Sequence, residues 1–156
     1  MEECVAKFRE NARLAKAIHL EGENHYAAYV HHDRTKGAVV EVAGGEQGLD
    51  TGHKVAIQVV AFPPEAVRKE DLSQEKLASE LELEKQRAIN EGKPPEIAEK
   101  IAQGRVNKEF INRVVLLEQP FYLDPAKTAG QFVAEQAKAS ESPIEIKAFW
   151  YLAVGA

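Results

Sequence analysis

The chain has 156 residues, 44% hydrophobic and 29% charged, with 20 Lys+Arg against 25 Asp+Glu for a formal net charge of -5. That length fits one domain able to bury roughly two-thirds of its unfolded surface, and no apolar run approaches the roughly 18 residues of a membrane span. The acidic balance lacks the clustered Lys and Arg that neutralise phosphates, so direct nucleic-acid binding is not expected. The start Met1-Glu2-Glu3-Cys4 has neither a secretory nor a transit pattern, and the single cysteine excludes an internal disulfide. A cytoplasmic protein is expected.

Glu2 to Glu10 reads as a short helix, with Val5 and Phe8 on one face. Arg13 to Leu20 reads as extended, with Leu14, Ile18 and Leu20 on one side. After the turn residues Glu21 to Asn24, Tyr26 to His32 reads as a strand and Asp33-Arg34-Thr35-Lys36-Gly37 as a hairpin loop. Ala38 to Val42 is the β-branched return strand, and Ile144 to Val154 the closing strand of an antiparallel meander. Gly44-Gly45-Glu46-Gln47-Gly48 lacks the Lys-Ser/Thr of a phosphate loop and reads as a flexible connection. Val55 to Phe62 is ambiguous: Val55, Ile57, Val59 and Ala61 alternate like a strand, while Val55, Val59 and Phe62 fit a helical stripe.

The charged centre reads as two helices. Asp71-Leu72-Ser73-Gln74 has the spacing of a capping box, and Leu77, Leu81, Glu84 and Ala88 share one face of a helix running to about Glu91. Gly92 to Pro95 breaks it, Gly ending one helix and Pro opening the next. The second helix pairs Ile97 with Ile101 and Ala98 with Ala102, and runs through Phe110. A seam this narrow suits a two-stranded coiled coil and predicts an arm projecting from the body. Val114 to Leu117 and Phe121 to Leu123 read as extended, and Thr128-Ala129-Gly130-Gln131 caps a helix to about Lys138. In the last strand, Ile146, Ala148, Trp150 and Leu152 fall on one face, with Lys147, Phe149 and Tyr151 on the other. Apolar groups on both faces fit a central strand or a covered edge.

The fold class is therefore α+β: a small antiparallel sheet packed with helices, plus a projecting antiparallel helical hairpin. The divisions are 1–70 for the first part of the α+β subdomain, 71–113 for the hairpin or coiled-coil arm, and 114–156 for the closing part, all in one structural domain.

No residue is assigned a catalytic, cofactor-binding or metal-ligating role. His31 and His32 are adjacent, and as strand neighbours they point to opposite faces without the further ligands of a zinc site. Cys4 has no partner of a nucleophile signature, and no pair of carboxylates stands out from the solvated ones of the arm. His31, His32, Arg34 and Lys36 are the candidate partner contacts, because polar loop tips on a rigid sheet often carry them. An ordinary solvated hairpin explains them equally well.

Glu96-Ile97-Ala98-Glu99-Lys100-Ile101-Ala102-Gln103-Gly104-Arg105, preceded by Gly92-Lys93-Pro94, resembles the returning coiled-coil helix of bacterial elongation factor Ts. Leu116-Leu117-Glu118-Gln119-Pro120-Phe121 is similar to the segment that follows it in that family. Ala6 to Asn11, Tyr29-Val30-His31-His32, Lys54 to Pro63, Thr128 to Gln131 and the last strand resemble the family in the same order. The resemblance resolves Val55–Phe62 as a buried helix. It implies a non-enzymatic nucleotide exchange factor, without cofactor, whose partner is the GTPase elongation factor Tu. It further implies the second core subdomain with its arm, which docks on the partner. The family's Thr-Asp-Phe-Val motif, which disturbs the partner's magnesium site, is absent here, so no residue inherits that role. An interaction module without exchange activity, a small-molecule enzyme resting on the histidines alone and an RNA-binding module are the competing readings. A homodimer through paired arms is open.

Overall fold

A computed structural model of the chain describes residues 14–155. The helix expected over Glu2–Glu10, Cys4 and the start of the expected Arg13–Leu20 extension lie outside them. The described elements begin with a hairpin, β1 (His25–Val30) and β2 (Lys36–Ala43), followed by helix α1 (Gly48–Ala61). Next come α2 (Gln74–Asn90) and α3 (Pro95–Arg105), a π turn at Val106–Phe110 and a short α4 (Ile111–Val114). A two-stranded pair, β3 (Pro120–Phe121) with β4 (Asp124–Thr128), leads into α5 (Ala129–Ala139) and the last strand, β5 (Glu145–Ala153).

The main sheet has the order β1-β2-β5, antiparallel throughout. Among the described residues β2 is its centre, with partners on both sides, and β5, with apolar residues on both faces, lies at the end of the strand order. Leu14 to Leu20 forms no strand, so among the described residues the meander has three strands. A bulge between Glu41 and Val42 pairs Glu41 with Ala148 but Val42 with Ile146. The extra residue, Lys147, breaks the period of two. Ile146, Phe149 and Tyr151 therefore pack on the core, and Ala148, Trp150 and Leu152 take the opposite face. The alternation expected over Ile146–Leu152 is corrected by that bulge.

α1 crosses the core face of this sheet. Val55, Ala56, Val59 and Val60 are buried against Ala38, Val40, Val42 and Ile146. A fully buried Val contributes about 1.5–3 kcal/mol, which outweighs the few tenths by which Val disfavours a helix. The helix starts well before Val55, at Gly48, so the Gly44–Gly48 segment is a connection only up to Gln47. A Cβ on Gly52 would lie 2.4 Å from Val42 Cγ2 and 2.9 Å from Ala27 Cβ, and one on Gly48 would lie 2.7 Å from Val42 Cγ1. Val42 thus occupies the space that side chains at positions 48 and 52 would need.

The hairpin of α2 and α3 is closed by Ala88, Ala98 and Ala102, all 0% exposed. Ser73, not Asp71, caps α2, its hydroxyl accepting from the Lys76 amide. Asp71 instead closes a tight turn by accepting from the Arg68 amide at 3.0 Å. Gly92 turns the chain at φ +83° and Pro95 opens α3. The return helix outlasts the expected Phe110, because the π turn and α4 carry it to Val114. There Val106, Phe110, Ile111, Val114 and Val115 form a second cluster with Ala66 and Leu72, partly covered by Leu77 and Leu81. Val114–Leu117 is accordingly a helix end, a bridge from Val115 to Ala66 and a 3-10 turn (Leu116–Glu118), rather than a strand. Of Phe121–Leu123 only Phe121 is in a strand; Tyr122 and Leu123 make the turn into β4. The expected Thr128 cap is present, its hydroxyl accepting from the Gln131 amide at 3.2 Å while Gln131 accepts from the Thr128 amide at 2.9 Å.

Charges fasten the hairpin across its seam. Glu84 is nearly buried between Arg87 and Arg105, and Arg105 donates both arms of its guanidinium to Glu91 at 3.0 and 2.8 Å. The bidentate pair fixes geometry as well as charge. Those hydrogen bonds from Arg105, outweighing a small opposing desolvation, hold the Glu91 carboxyl below its ordinary value.

Gly52→Ala is expected to lower stability by about 1–3 kcal/mol through overpacking against Val42. Gly104→Ala sits on a helix where an added Cβ would meet nothing within 4 Å, and is expected to raise stability by up to about 1 kcal/mol. Urea unfolding of both variants checks this, and a neutral Gly52→Ala would mean that α1 can lift from the sheet at little cost. For Glu91 the folded carboxyl is the more acidic one, so its contribution is complete above the unfolded value and is lost as pH falls through the folded one. A carboxyl NMR titration should place Glu91 below 4.5 in the parent chain and return it upward in Arg105→Met; an unmoved midpoint would refute the pairing.

Candidate partner-binding site

β1 ends at Val30, so His31 and His32 lie in the turn rather than on a strand. Freed from strand alternation, their rings approach to 4.3 Å between centroids. The opposite-face expectation fails for that reason. The turn is built locally: the Arg34 amide donates to His31 O at 2.8 Å, and Arg34 takes a left-handed φ of 58°. Asp33 accepts from the Thr35 amide and hydroxyl, both at 2.9 Å. The amide bond is the largest of the causes that lower the Asp33 carboxyl's proton affinity, with smaller help from the histidines.

On the core side of the hairpin, the Tyr29 hydroxyl shares a 3.1 Å hydrogen bond with His31 Nδ1. His53, one turn into α1, donates from Nδ1 to Ala28 O at 2.9 Å. That bond places a proton on Nδ1 and leaves Nε2 directed elsewhere. The His53 and Tyr29 rings meet edge to face at 5.8 Å. Tyr29, His31, His32 and His53 therefore form one aromatic, hydrogen-bonding patch where β1, the turn and α1 meet. Tyr supplies contact area with few freely rotating bonds. Among the described residues no group of three or more His, Cys, Asp or Glu is placed to hold a metal ion.

Arg34 and Lys36 part company with the histidines. Both border an open groove with Leu14, Val30, Leu152 and Val154, while Lys36, by its alternation with Ala38, Val40 and Val42, starts β2 on the core-facing side. Leu14, Val30 and Val154 are all more than half exposed there, and Tyr26 leans on Trp150 nearby at 6.3 Å. The four predicted contacts thus do not form one cluster: the two histidines meet each other, and Arg34 and Lys36 border the groove. Tyr29 and His53 are members of the patch that sequence reasoning misses. The signal for His53 lies only in the start of α1 at Gly48, which places it on the first exposed turns of that helix.

No helix among the described residues is long and apolar enough to cross a membrane. The family model described as Elongation factor TS matches residues 1–156. Elongation factor Ts of Shewanella amazonensis is 44% identical over 132 residues, which cover 85% of this chain and 44% of that protein. That of Caulobacter sp. (strain K31) is 36% identical over 155 residues, 94% of this chain and 48% of its own length. That of Aquifex aeolicus is 35% identical over 158 aligned positions, 99% of this chain and 53% of its own. The chain spans about half the length of these relatives. A family match from its first residue to its last, with relatives of this identity along nearly all of it, means that the chain belongs to the elongation factor Ts family.

Proposed function

We propose that this chain binds the GTPase elongation factor Tu and favours its nucleotide-free form, so promoting exchange of GDP for GTP in the cytoplasm. The observation that supports it most is the unbroken family match over residues 1–156. Such a factor needs no bond chemistry. Tighter binding to the empty GTPase weakens nucleotide binding by the same coupling energy, typically about 1–3 kcal/mol. It acts without cofactor or catalytic residue, as a docking half: residues 1–70 and 114–156 form the body and 71–113 a coiled-coil arm. Release of GDP is driven mainly by the family's other half. The arm's small-residue seam is filled within the chain by Ala88, Ala98 and Ala102, so pairing of arms between copies through that seam is not part of the proposal.

The docking surface in this reading is the hairpin tip, with His31 and His32 presented by Tyr29 and His53, and with Arg34 and Lys36 on the flank. An interaction module that has kept the docking and lost the exchange is the second reading, favoured by the run from Ala43, the last residue of β2, to Gly48, which carries no Thr-Asp-Phe-Val motif.

Calorimetry with nucleotide-free and GDP-bound elongation factor Tu, run beside a GDP-release assay, separates the two. Exchange predicts preference for the nucleotide-free form, and the second reading predicts equal affinity for both. Binding to neither form would sink both. His32→Ala combined with Arg34→Ala is expected to weaken binding about tenfold or more; undiminished affinity would remove the hairpin from the interface.

A further inference from the structure

Gln58 and Gln119 are buried, at 0% and 2% exposure, and hydrogen-bond to each other across 61 residues of sequence. Gln58 Nε2 donates to Gln119 Oε1 at 2.9 Å and to Pro120 O at 3.2 Å, and Gln58 Oε1 accepts from the Tyr122 amide at 2.9 Å. Gln119 Nε2 donates to Phe62 O at 2.9 Å and to Arg113 O at 2.8 Å. All four amide hydrogens of the pair are used. Phe62 closes α1 and Arg113 lies in the last turn of the helix returning from the hairpin. One side chain therefore joins the carbonyl ends of two helices belonging to different hydrophobic clusters.

The junction carries other ties as well. Residues 65–67 are hydrogen-bonded to 114–117, as in Glu65 N to Val114 O at 2.8 Å and Leu116 N to Ala66 O at 2.9 Å. These bonds strap the hairpin base to the loop that follows α1, and that loop is tied in turn to β5 by Arg68, which donates to Ile146 O at 3.1 Å and pairs with Glu145. Val67 and Leu116 bury in the sheet cluster, but apolar contact is non-directional and sets proximity rather than angle. Gln119 alone among these reaches past the loop to α1 through oriented hydrogen bonds.

We propose that Gln119, itself held by Gln58, is a positioning strut that fixes the direction of the α2–α3 hairpin relative to the sheet body. Displacement of the hairpin is then transmitted to α1 instead of being lost at a swivelling joint. This holds whatever the partner is.

The test places spin labels on exposed helix positions, at Gln86→Cys on the hairpin and Lys138→Cys on the body, in the full chain carrying Cys4→Ser. Pulsed electron resonance then reads the distance distribution between them. Gln119→Met keeps volume and removes the directed bonds; it is expected to widen the distribution about twofold while the circular dichroism stays unchanged. Gln58→Met is expected to widen it less, and the double variant no more than Gln119→Met alone. Unchanged width in folded Gln119→Met overturns the proposal. Should that variant not fold, hydrogen exchange of the parent chain decides instead. Exchange at Leu116 and Leu117 as slow as at Val59 and Val60 supports a joint that opens only with the body, and exchange more than tenfold faster overturns it.

Discussion

The close seat of α1 on the sheet is the contact from which the other features take their positions. Gly48 and Gly52 leave room for the two methyl groups of Val42, and this interlock sets the height and rotation of the helix. With that rotation fixed, Val55, Ala56, Val59 and Val60 face the sheet. His53 emerges beside the end of β1, within reach of Ala28 O. Gln58, five residues on, is delivered to the opposite quarter of the helix, where Gln119 waits. A helix lifted by one methyl group would disturb the hydrophobic face, the histidine patch and the buried amide pair together, because all three are read off one rigid cylinder.

How much of this is legible in the sequence depends on whether the deciding contacts are local. The hairpin of α2 and α3 is legible because its seam repeats at helical spacing and its break, Gly92 to Pro95, uses the backbone preferences of its own residues. The Thr128 cap is legible for the same reason. α1 is not: the window Val55–Phe62 satisfies both periods, and the residues that would decide between them, Gly48, Thr51 and Gly52, are small or polar and do not register as a hydrophobic face. All three are buried, and what closes over the two glycines is Val42 of the neighbouring strand. Family resemblance, not residue pattern, decides that helix. The bulge at Lys147 fails in the same way, since one extra residue inverts every later side chain without changing composition.

The candidate site shows the same division. The turn is legible from its polar tip, and Asp33 and Thr35 do build it from neighbouring groups. The assignment of faces is not recoverable. Strand alternation carried through His31 and His32 makes them diverge, whereas the strand ends at Val30 and they meet each other, while Arg34 and Lys36 border a separate groove. Tyr29 and His53 join the patch through a helix whose first turns leave no hydrophobic pattern.

Separate hydrophobic clusters in one chain raise the question of how rigidly they are joined. The cluster of Val40, Val42, Val55 and Val59 and that of Phe110, Ile111 and Val114 are each non-directional, and a boundary between two such clusters is where a domain most readily bends. Placing glutamines there is costly unless every hydrogen bond is made, because an unpaired buried amide loses about 1–3 kcal/mol. Here no buried side-chain nitrogen or oxygen among the described residues lacks a partner. A satisfied pair of this kind contributes little net stability over an apolar pair of equal size, and what it adds is direction. A factor that works by binding one state of its partner more tightly than another benefits from that property, since every soft joint between two contact surfaces dissipates part of the discrimination as disorder. Under the proposed function, the buried amides therefore belong to the binding behaviour of the molecule as much as to its core.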